Sequence, residues 1–256
     1  MSNNLLEIRN LSKSFGGLKA VDIDELVFKN NQLTSVIGPN GAGKTTFFDL
    51  ISGFQNSDTG EVLLNGKNIT NMQPHKISRY GMVRTFQLTK VFDRMTVIEN
   101  LLFSGSSVKN DSFIKSILKL PNQKAYEKNL EFRAHEIMDE LKISHMALSY
   151  ARELSGGQKK LLELARSIIN NPKVLLLDEP LAGVNPKLAE EILGLILKLS
   201  EKGVSIIMVE HNIEAVMKIS DHIVVLAEGE IIAQGTPLEI RNNEKVIEAY
   251  LGGSHE

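Results

Sequence analysis

Short apolar runs alternate with longer apolar stripes along the second half of the chain. Val174 to Leu177 and Ser205 to Val209 are nearly continuous apolar runs, which is typical of strands buried on both faces of a parallel sheet. Between them, Leu188, Ile192 and Leu195 recur at helical spacing. Strands that alternate with helices in this way predict an α/β fold.

The N-terminal part of the chain shows a different pattern. Leu5 to Phe15 and Val21 to Phe28 each predict a strand, and Glu61 to Leu64 is followed by Asn65-Gly66. Asn-Gly between two strand-like runs is a strong signal for a two-residue hairpin. We therefore expect antiparallel strands here, next to the parallel sheet.

A helical region is predicted between the two halves. Thr96 and Glu99 form a T-x-x-E capping box that starts a helix. Phe132, Ile137 and Met138 lie at roughly helical spacing and predict a packed stripe. We expect one domain over residues 1–256 with three parts: a catalytic core with an antiparallel β subdomain (5–86 and 174–236), a helical subdomain (88–170) and a C-terminal helical tail (237–256).

The composition narrows the functional classes. A net charge of −2 lacks the basic excess of a nucleic-acid-binding domain, so no nucleic-acid partner is expected. The absence of cysteine excludes disulfides, thiolate zinc sites and a cysteine nucleophile. No apolar run approaches the roughly 20 residues that a membrane-spanning helix needs. We expect a soluble chain, with any membrane part supplied by another chain.

The run from Leu33 to Ile37 leads into a phosphate-binding loop. The segment G-P-N-G-A-G-K-T fits the pattern G-x-x-x-x-G-K-[ST] between a predicted strand and a predicted helix. Its glycines let the backbone wrap a phosphate chain, and the N–H groups at the helix start attract anions. Lys44 is expected to reach the β- and γ-phosphates, and Thr45 to bind Mg²⁺. The predicted nucleotide-binding residues are Gly38, Pro39, Asn40, Gly41, Ala42, Gly43, Lys44, Thr45 and Thr46.

A second glycine-rich helix start follows Leu154. Ser155 and Gln158 form an S-x-x-Q capping box around Gly156 and Gly157. A cap does not need two glycines, which disfavour a helix. Glycines leave the backbone N–H groups of the first turn accessible to an anion. Ser155, Gly156, Gly157 and Gln158 are therefore also predicted to bind phosphate.

Acidic residues end the buried strand at Val174 to Leu177. Asp178 and Glu179 point to opposite faces if the strand continues through them, so they are expected to have different roles. Asp178 is predicted to bind Mg²⁺, and Glu179 to orient and deprotonate an attacking water. His211 follows the next buried strand and is predicted to be functional, because ligands gather outside the carboxyl ends of strands in open α/β sheets.

Phe15 precedes Gly16-Gly17 and allows two interpretations. It is either an apolar side chain at a strand end or a flat surface on which adenine stacks.

The combined motifs resemble those of ATP-binding-cassette (ABC) ATPases. Leu154 to Gln158 is similar to their LSGGQ signature, the phosphate loop to Walker A, and the strand into Asp178 and Glu179 to Walker B. Gln87, Asn185 and His211 match the Q-loop, D-loop and H-loop positions. The resemblance implies an α/β P-loop NTPase core with a mixed sheet, an antiparallel β subdomain and a helical signature subdomain, acting on ATP with Mg²⁺.

The same resemblance implies roles and partners. Gln87 would bind the metal, take part in catalysis and link the γ-phosphate to membrane subunits, while His211 would contact the γ-phosphate and the attacking water. The signature of one subunit would close over the ATP of another, so a second cassette is expected, together with two transmembrane permease subunits and, indirectly, a solute-binding protein. The chain would then lie at the cytoplasmic face of the membrane. Phe15 replaces the commoner tyrosine and Asn185 the usual aspartate.

Local segments resemble one group within the family. Gly81 to Gln87, Met95 to Leu101, Glu179 to Pro186 and Ala249 to Gly252 are similar to the cassettes of branched-chain amino acid importers. This implies a subunit that hydrolyses ATP to drive import of branched-chain amino acids. Cassettes for urea or amide import and for lipopolysaccharide export share much of this pattern and remain alternatives, as does a soluble cassette protein of DNA repair or translation. A small-molecule phosphotransferase would leave the LSGGQ segment unexplained.

Overall fold

The computed structural model describes residues 4–85, 91–106 and 121–251, except for the side chains of residues 121–124 and 251. The chain forms two compact units. The sheet unit comprises Met1–Arg84, Lys173–Leu181 and Ile196–Glu256, and the helical unit comprises Thr85–Pro172 and Ala182–Leu195. Gln87 and residues 107–120 lie outside the described residues.

The described strands all belong to the sheet unit and form two sheets. Their bounds are β1 (Asn4–Phe15), β2 (Leu18–Lys29), β3 (Leu33–Ile37), β4 (Thr59–Leu64), β5 (Lys67–Asn68), β6 (Met82–Arg84), β7 (Val174–Asp178), β8 (Ser205–Val209), β9 (His222–Ala227) and β10 (Glu230–Gly235).

The larger sheet has the order β10-β9-β3-β8-β7-β6. β3 pairs in parallel with β8 and β9, and β7 pairs in parallel with β6 and β8. Among the described strands of this sheet, β10 alone runs antiparallel, to β9. The register places Asp178 opposite Val209, so the carboxyl ends of β7 and β8 are neighbours. The predicted mixed sheet is confirmed.

The smaller sheet is antiparallel and has the order β2-β1-β4-β5. The predicted Asn65-Gly66 hairpin is confirmed, with both turn residues at positive φ, 49° and 75°, as a two-residue turn of this kind requires.

The two sheets share a core with the first helix, α1 (Lys44–Ser52). Phe47 is fully buried and stacks on Phe28 of β2, with ring centroids 6.3 Å apart. Val36 of β3 and Ile8 of β1 belong to the same buried cluster. Because α1 packs on both sheets, the loop that precedes it is held at both ends by buried apolar contacts.

The helical unit contains α3 (Val97–Ser106), α4 (Pro121–Glu140), α5 (Gly156–Ile168) and the beginning of α6 (Pro186–Glu201). The Thr96 capping box is confirmed, with the Thr96 N–H donating to Glu99 Oε2 at 2.7 Å. The apolar stripe of α4 is confirmed at Ile137 and Met138, which are buried, but wrong at Phe132, which is 67% exposed. Phe132 lies two residues after the buried Leu130, and residues two apart do not share a helix face.

The remaining helices lie in the sheet unit: α2 (Pro74–Arg79), α7 (Ile213–Ile219), α8 (Pro237–Arg241) and α9 (Glu244–Leu251). Within the described residues the predicted C-terminal helical tail consists of α8 and α9, and the Asn243 side chain accepts the Val246 N–H at 3.3 Å at the start of α9. In the part of the chain that the structure describes, no helix has the length and apolarity needed to span a bilayer.

Candidate nucleotide site

The phosphate loop runs from Gly38 to Lys44, between β3 and α1. Gly43 has a φ of 90° and precedes the helix as its N-cap. A Cβ on Gly43 would lie 2.2 Å from the Ala20 carbonyl oxygen, so only glycine fits there. The tip of the β9–β10 hairpin supports the same loop, because the Gly229 N–H donates to the Ala42 carbonyl at 3.2 Å.

The helix start that follows has no side-chain cap. Lys44 is 6% exposed, and its ammonium donates to the carbonyls of Gly38 and Pro39, each at 2.8 Å. Burial lowers the pKa of Lys44, and the nearby charge of Glu179 acts in the opposite direction. The loop therefore presents backbone N–H groups and one buried cation, a combination suited to phosphate.

The side chains at the mouth of this loop differ in exposure. Thr45 is exposed and Thr46 is half-buried, so the Thr45 hydroxyl can reach a ligand. Phe15 is the last residue of β1 and is 49% exposed. That exposure leaves the ring available for stacking on a base, although Lys13 Nζ lies 5.6 Å from its centroid.

Asp178 ends β7 and is 2% exposed. Its Oδ2 accepts a hydrogen bond from Arg84 Nη2 at 2.7 Å. Arg84 also donates to Asp49 Oδ1 of α1 at 2.6 Å and to Ser52 Oγ at 2.9 Å. The sequence interpretation did not identify Arg84, although a lone arginine in a short apolar strand was a usable signal. It provides the cation that a buried carboxylate needs.

Glu179 and His211 are brought together at the carboxyl ends of β7 and β8. Glu179 Oε1 lies 2.9 Å from His211 Nε2. Glu179 has a φ of 48°, a left-handed conformation that is uncommon for a residue with a side chain. Its N–H donates to the Val209 carbonyl at 2.9 Å. The turn after β7 thus places the Glu179 carboxylate next to His211, which follows β8.

Glu210, which sequence reasoning passed over, fixes this arrangement. It is 4% exposed. Its Oε1 accepts the Leu181 N–H at 2.7 Å, and its Oε2 accepts the N–H groups of His211 and Asn212 at 2.9 and 3.3 Å. The carboxylate therefore ties the turn after β7 to the turn after β8. A charged residue that directly follows a buried strand was the signal for it.

The second predicted phosphate site belongs to the helical unit. The Ser155 hydroxyl accepts the Gln158 N–H at 3.3 Å, and Gln158 Oε1 accepts the Ser155 N–H at 2.8 Å, which confirms the capping box. Ser155 and Gly156 are exposed. A Cβ on Gly156 would meet nothing within 4 Å, whereas one on Gly157 would lie 2.3 Å from Leu188 Cδ2. Asn185 caps α6, its Oδ1 accepting the Leu188 N–H at 3.0 Å.

The structure thus groups part of the predicted set. The phosphate loop, Lys44, Asp178, Glu179 and His211 lie within the sheet unit, whereas Ser155 to Gln158 lie in the helical unit. The described residues contain no cluster of three histidine, aspartate or glutamate side chains that could hold a metal by itself. Thr45 and Asp178 are oxygen donors of the kind that Mg²⁺ accepts when phosphate oxygens complete its shell, so the residues present fit Mg²⁺ bound with a nucleotide.

Two family models match the chain. The model described as ABC transporter matches residues 21–182. The model described as branched-chain amino acid ATP-binding cassette transporter matches residues 230–256.

Curated relatives match over nearly the whole chain. A protein of Archaeoglobus fulgidus named probable branched-chain amino acid transport ATP-binding protein LivG is 44% identical over 248 residues, covering 97% of this chain and 95% of the relative. The Pseudomonas aeruginosa protein named high-affinity branched-chain amino acid transport ATP-binding protein BraF is 43% identical over 254 residues, covering 98% and 99%. A crystal structure of the ADP conformation of an ATP-binding cassette of an ABC transporter superposes with a TM-score of 0.83 at 37% identity, covering 98% of this chain and 100% of the other.

Proposed function

We propose that this chain, which belongs to the ATP-binding cassettes of ABC transporters, binds ATP at Gly38–Thr46 and hydrolyses it to drive import of branched-chain amino acids. The family is one of ATPases, and the relatives are ATP-binding components of branched-chain amino acid transport.

The sheet unit supplies the binding groups. The phosphates would lie against the N–H groups of Gly41 to Thr45, at the positive end of α1. Lys44 would exchange its bonds to the Gly38 and Pro39 carbonyls for bonds to the β- and γ-phosphates, which are stronger because both partners are charged. Phe15 would stack on the base.

Thr45, Asp178 and Gln87 would hold Mg²⁺, although Gln87 lies outside the described residues. When bound, the ion would neutralise charge on the β- and γ-phosphates. Arg84 holds Asp178 Oδ2 at 2.7 Å, so the carboxylate is oriented and charge-balanced before nucleotide arrives.

Glu179 would act on the attacking water. The water oxygen forms a bond to the γ-phosphorus, the bond from that phosphorus to the ADP oxygen breaks, and a water proton passes to the Glu179 carboxylate. His211, whose Nε2 lies 2.9 Å from Glu179 Oε1, would orient this carboxylate and contact the γ-phosphate. Gln87 is the third proposed catalytic residue.

The Glu179–His211 pair beside Lys44 is the observation that carries this proposal. We expect Glu179→Gln to bind ATP as the wild type does and to hydrolyse it about 10²- to 10⁴-fold more slowly, because the amide cannot accept the proton. Single-turnover hydrolysis and a separate nucleotide-binding measurement distinguish the two effects.

The matched control is Glu25→Gln, which removes the same charge from an exposed site on β2 and should leave turnover unchanged. Normal hydrolysis by Glu179→Gln, in protein free of contaminating ATPase, would show that Glu179 is not the base.

The proposed assembly contains two cassettes and two transmembrane permease subunits, with a solute-binding protein that delivers the amino acid. This assembly is supported by the relatives' role in transport and by the two helix N-termini, in separate units, that are proposed to bind phosphate. The chain would then sit at the cytoplasmic face of the membrane, with no nucleic-acid partner.

Uptake of labelled leucine, isoleucine and valine by cells that lack this chain tests the solute. Wild-type chain should restore uptake, and the Glu179→Gln variant should not. Restored uptake of urea or amides, restored export of lipopolysaccharide, or co-purification with ribosomes or DNA would instead favour the corresponding alternative.

A further inference from the structure

A buried carboxylate outside the proposed catalytic set joins the two turns that carry Glu179 and His211. Glu210 directly follows β8 and is 4% exposed. Its Oε1 accepts the Leu181 N–H at 2.7 Å, in the turn after β7. Its Oε2 accepts the N–H groups of His211 and Asn212 at 2.9 and 3.3 Å, in the turn after β8. Each carboxylate oxygen therefore binds a different turn.

The Glu210 side chain continues the hydrogen bonding of the sheet beyond the ends of the two strands. Pairing of β8 with β7 ends at Val209, whose carbonyl still accepts the Glu179 N–H at 2.9 Å. Glu179 then takes a φ of 48°, which leads the chain out of its strand path, and Pro180 has no N–H. The next backbone donor along this turn is the Leu181 N–H, and Glu210 supplies its acceptor.

This contact holds the chain at a defined point. Leu181 is the last residue of the sheet unit before the chain passes into the helical unit at Ala182, and it follows the proposed base Glu179 by two positions. On its other side the Glu210 carboxylate holds the N–H of His211, whose Nε2 lies 2.9 Å from Glu179 Oε1. One side chain therefore restrains the backbone around both members of the Glu179–His211 pair.

A carboxylate is suited to this connection in a way that an amide is not. It has acceptor lone pairs on both oxygens, so it can accept from both turns at once, whereas a carboxamide has a single acceptor oxygen. Hydrogen bonds to an ionised acceptor are also about twice as strong as neutral ones. The free-energy cost of burying the charge of Glu210 is offset by these bonds.

We propose that Glu210 is a positioning residue for ATP hydrolysis: by tying the Leu181 turn to the His211 turn, it keeps the Glu179 carboxylate where it can accept the proton of the attacking water. The inference rests on the proposed function, which assigns that proton to Glu179. The described hydrogen bonds of Glu210 all go to these two turns, so its effect falls on the chemical step and not on the affinity for ATP.

Replacing Glu210 by glutamine keeps the size of the side chain but turns one acceptor oxygen into an NH₂ group, which faces an N–H donor in one of the two turns. We expect Glu210→Gln to lower kcat about 10- to 100-fold, because a misplacement of about 1 Å can cost about 10²-fold in rate. The KM and the equilibrium affinity for ATP should stay within about 2-fold. Steady-state turnover and a separate nucleotide-binding measurement give the two values.

Glu210→Asp tests the same connection with the charge retained, including the case in which the glutamine variant does not fold. The aspartate keeps two acceptor oxygens but is one methylene shorter, so it cannot span both turns. It should also lower kcat and leave the affinity for ATP unchanged.

A double-mutant cycle tests whether Glu210 acts through Glu179. In the Glu179→Gln background the base is already lost, so adding Glu210→Gln should change the remaining single-turnover hydrolysis by less than about 3-fold. A residue that only stabilised the fold would lower the rate by the same factor in both backgrounds.

Ser205→Ala is the matched control at the opposite end of β8. The buried Ser205 hydroxyl accepts the Asn31 N–H at 2.9 Å, so this variant also leaves a backbone N–H without its side-chain acceptor. Ser205→Ala and Glu210→Gln should both unfold at a lower urea concentration than the wild type, but Ser205→Ala should keep the wild-type kcat.

Wild-type kcat in Glu210→Gln or Glu210→Asp would overturn the positioning role. So would an equal loss of rate in the Glu179→Gln background, or an equal loss of kcat in Ser205→Ala. Normal hydrolysis by Glu179→Gln alone would instead overturn the proposed function of that carboxylate, whatever the Glu210 variants do.

Discussion

Two helices of this cassette begin at glycine-rich turns that are built in opposite ways. The α1 helix follows Gly43, which is left-handed and offers no side-chain cap. The α5 helix follows Ser155, which exchanges hydrogen bonds with Gln158 in a complete capping box. The first-turn N–H groups of α1 are left for a ligand, whereas one first-turn N–H group of α5 is already bonded to the Ser155 side chain.

This difference predicts which helix start needs a bound nucleotide to satisfy its backbone N–H groups. At α1 the first-turn N–H groups need an external partner, and a buried lysine stands beside them. At α5 the cap fixes the turn before any ligand arrives, so only the glycine N–H groups remain to be offered. We expect α1 to set nucleotide affinity and α5 to act when it meets the ATP of a second cassette.

The largest expected effect on nucleotide affinity is the loss of the lysine at α1. Lys44→Met should weaken ATP binding about 10- to 100-fold, because hydrogen bonds to charged groups contribute about 1.5–3 kcal/mol. Equilibrium binding to the isolated chain measures this.

Lys159→Met is the control, since this lysine lies in the first turn of α5 and pairs with Asp93 at 3.3 Å. If Lys44→Met and Lys159→Met weaken ATP binding equally, the starts of α1 and α5 do not differ in their contribution to nucleotide affinity.

A mixing experiment tests the second helix start. Gly156→Asp has room to fold, because a Cβ there meets nothing within 4 Å. The added carboxylate should repel a phosphate by several kcal/mol and abolish turnover, while the variant's own phosphate loop binds ATP normally.

Lys44→Met should also be inactive alone, but mixed dimers of the two variants contain one intact composite site. ATPase activity should therefore rise when the two inactive proteins are combined. No rise, although mixed dimers form, would mean that the signature does not act on the partner's nucleotide.

The smallest expected effect concerns the cap itself. Ser155→Ala should lower the free energy of unfolding of the helical unit by about 1 kcal/mol, the usual cost of losing an N-cap, and should also reduce ATPase activity. Urea denaturation and turnover are measured together.

Thr96→Ala removes the equivalent cap of α3 and should cost similar stability with little loss of activity. If both variants lose activity in proportion to stability, the Ser155 cap is structural only.

The features that could be predicted from the sequence are those with local signals. The phosphate loop, the Asn65-Gly66 hairpin and the caps at Thr96 and Ser155 each depend on residues within a few positions of one another. The structure places the loop between a strand and a helix, as predicted, and confirms the hairpin and both caps.

The partners that complete the site depend on tertiary contacts. Arg84 and Asp178 are 94 residues apart, and no local pattern indicates that β6 and β7 pair side by side. Glu210 looks like an ordinary acidic residue after a strand until the Leu181 N–H is seen at its carboxylate. The prediction that Phe132 belongs to the packed stripe was wrong for a local reason. An apolar residue close in sequence to a buried stripe can still lie on the exposed face of the helix.

The hairpin tip at Gly229 has a practical consequence for protein engineering. Surface turns are usually the safest places for an inserted tag or reporter, and Glu228 is exposed. Here, however, the Gly229 N–H donates to Ala42 of the phosphate loop, and its carbonyl accepts the Asp22 N–H at 2.8 Å. An insertion at this turn would disrupt these two hydrogen bonds and weaken the support of the phosphate loop. A label placed there would therefore report on nucleotide binding and disturb it at the same time.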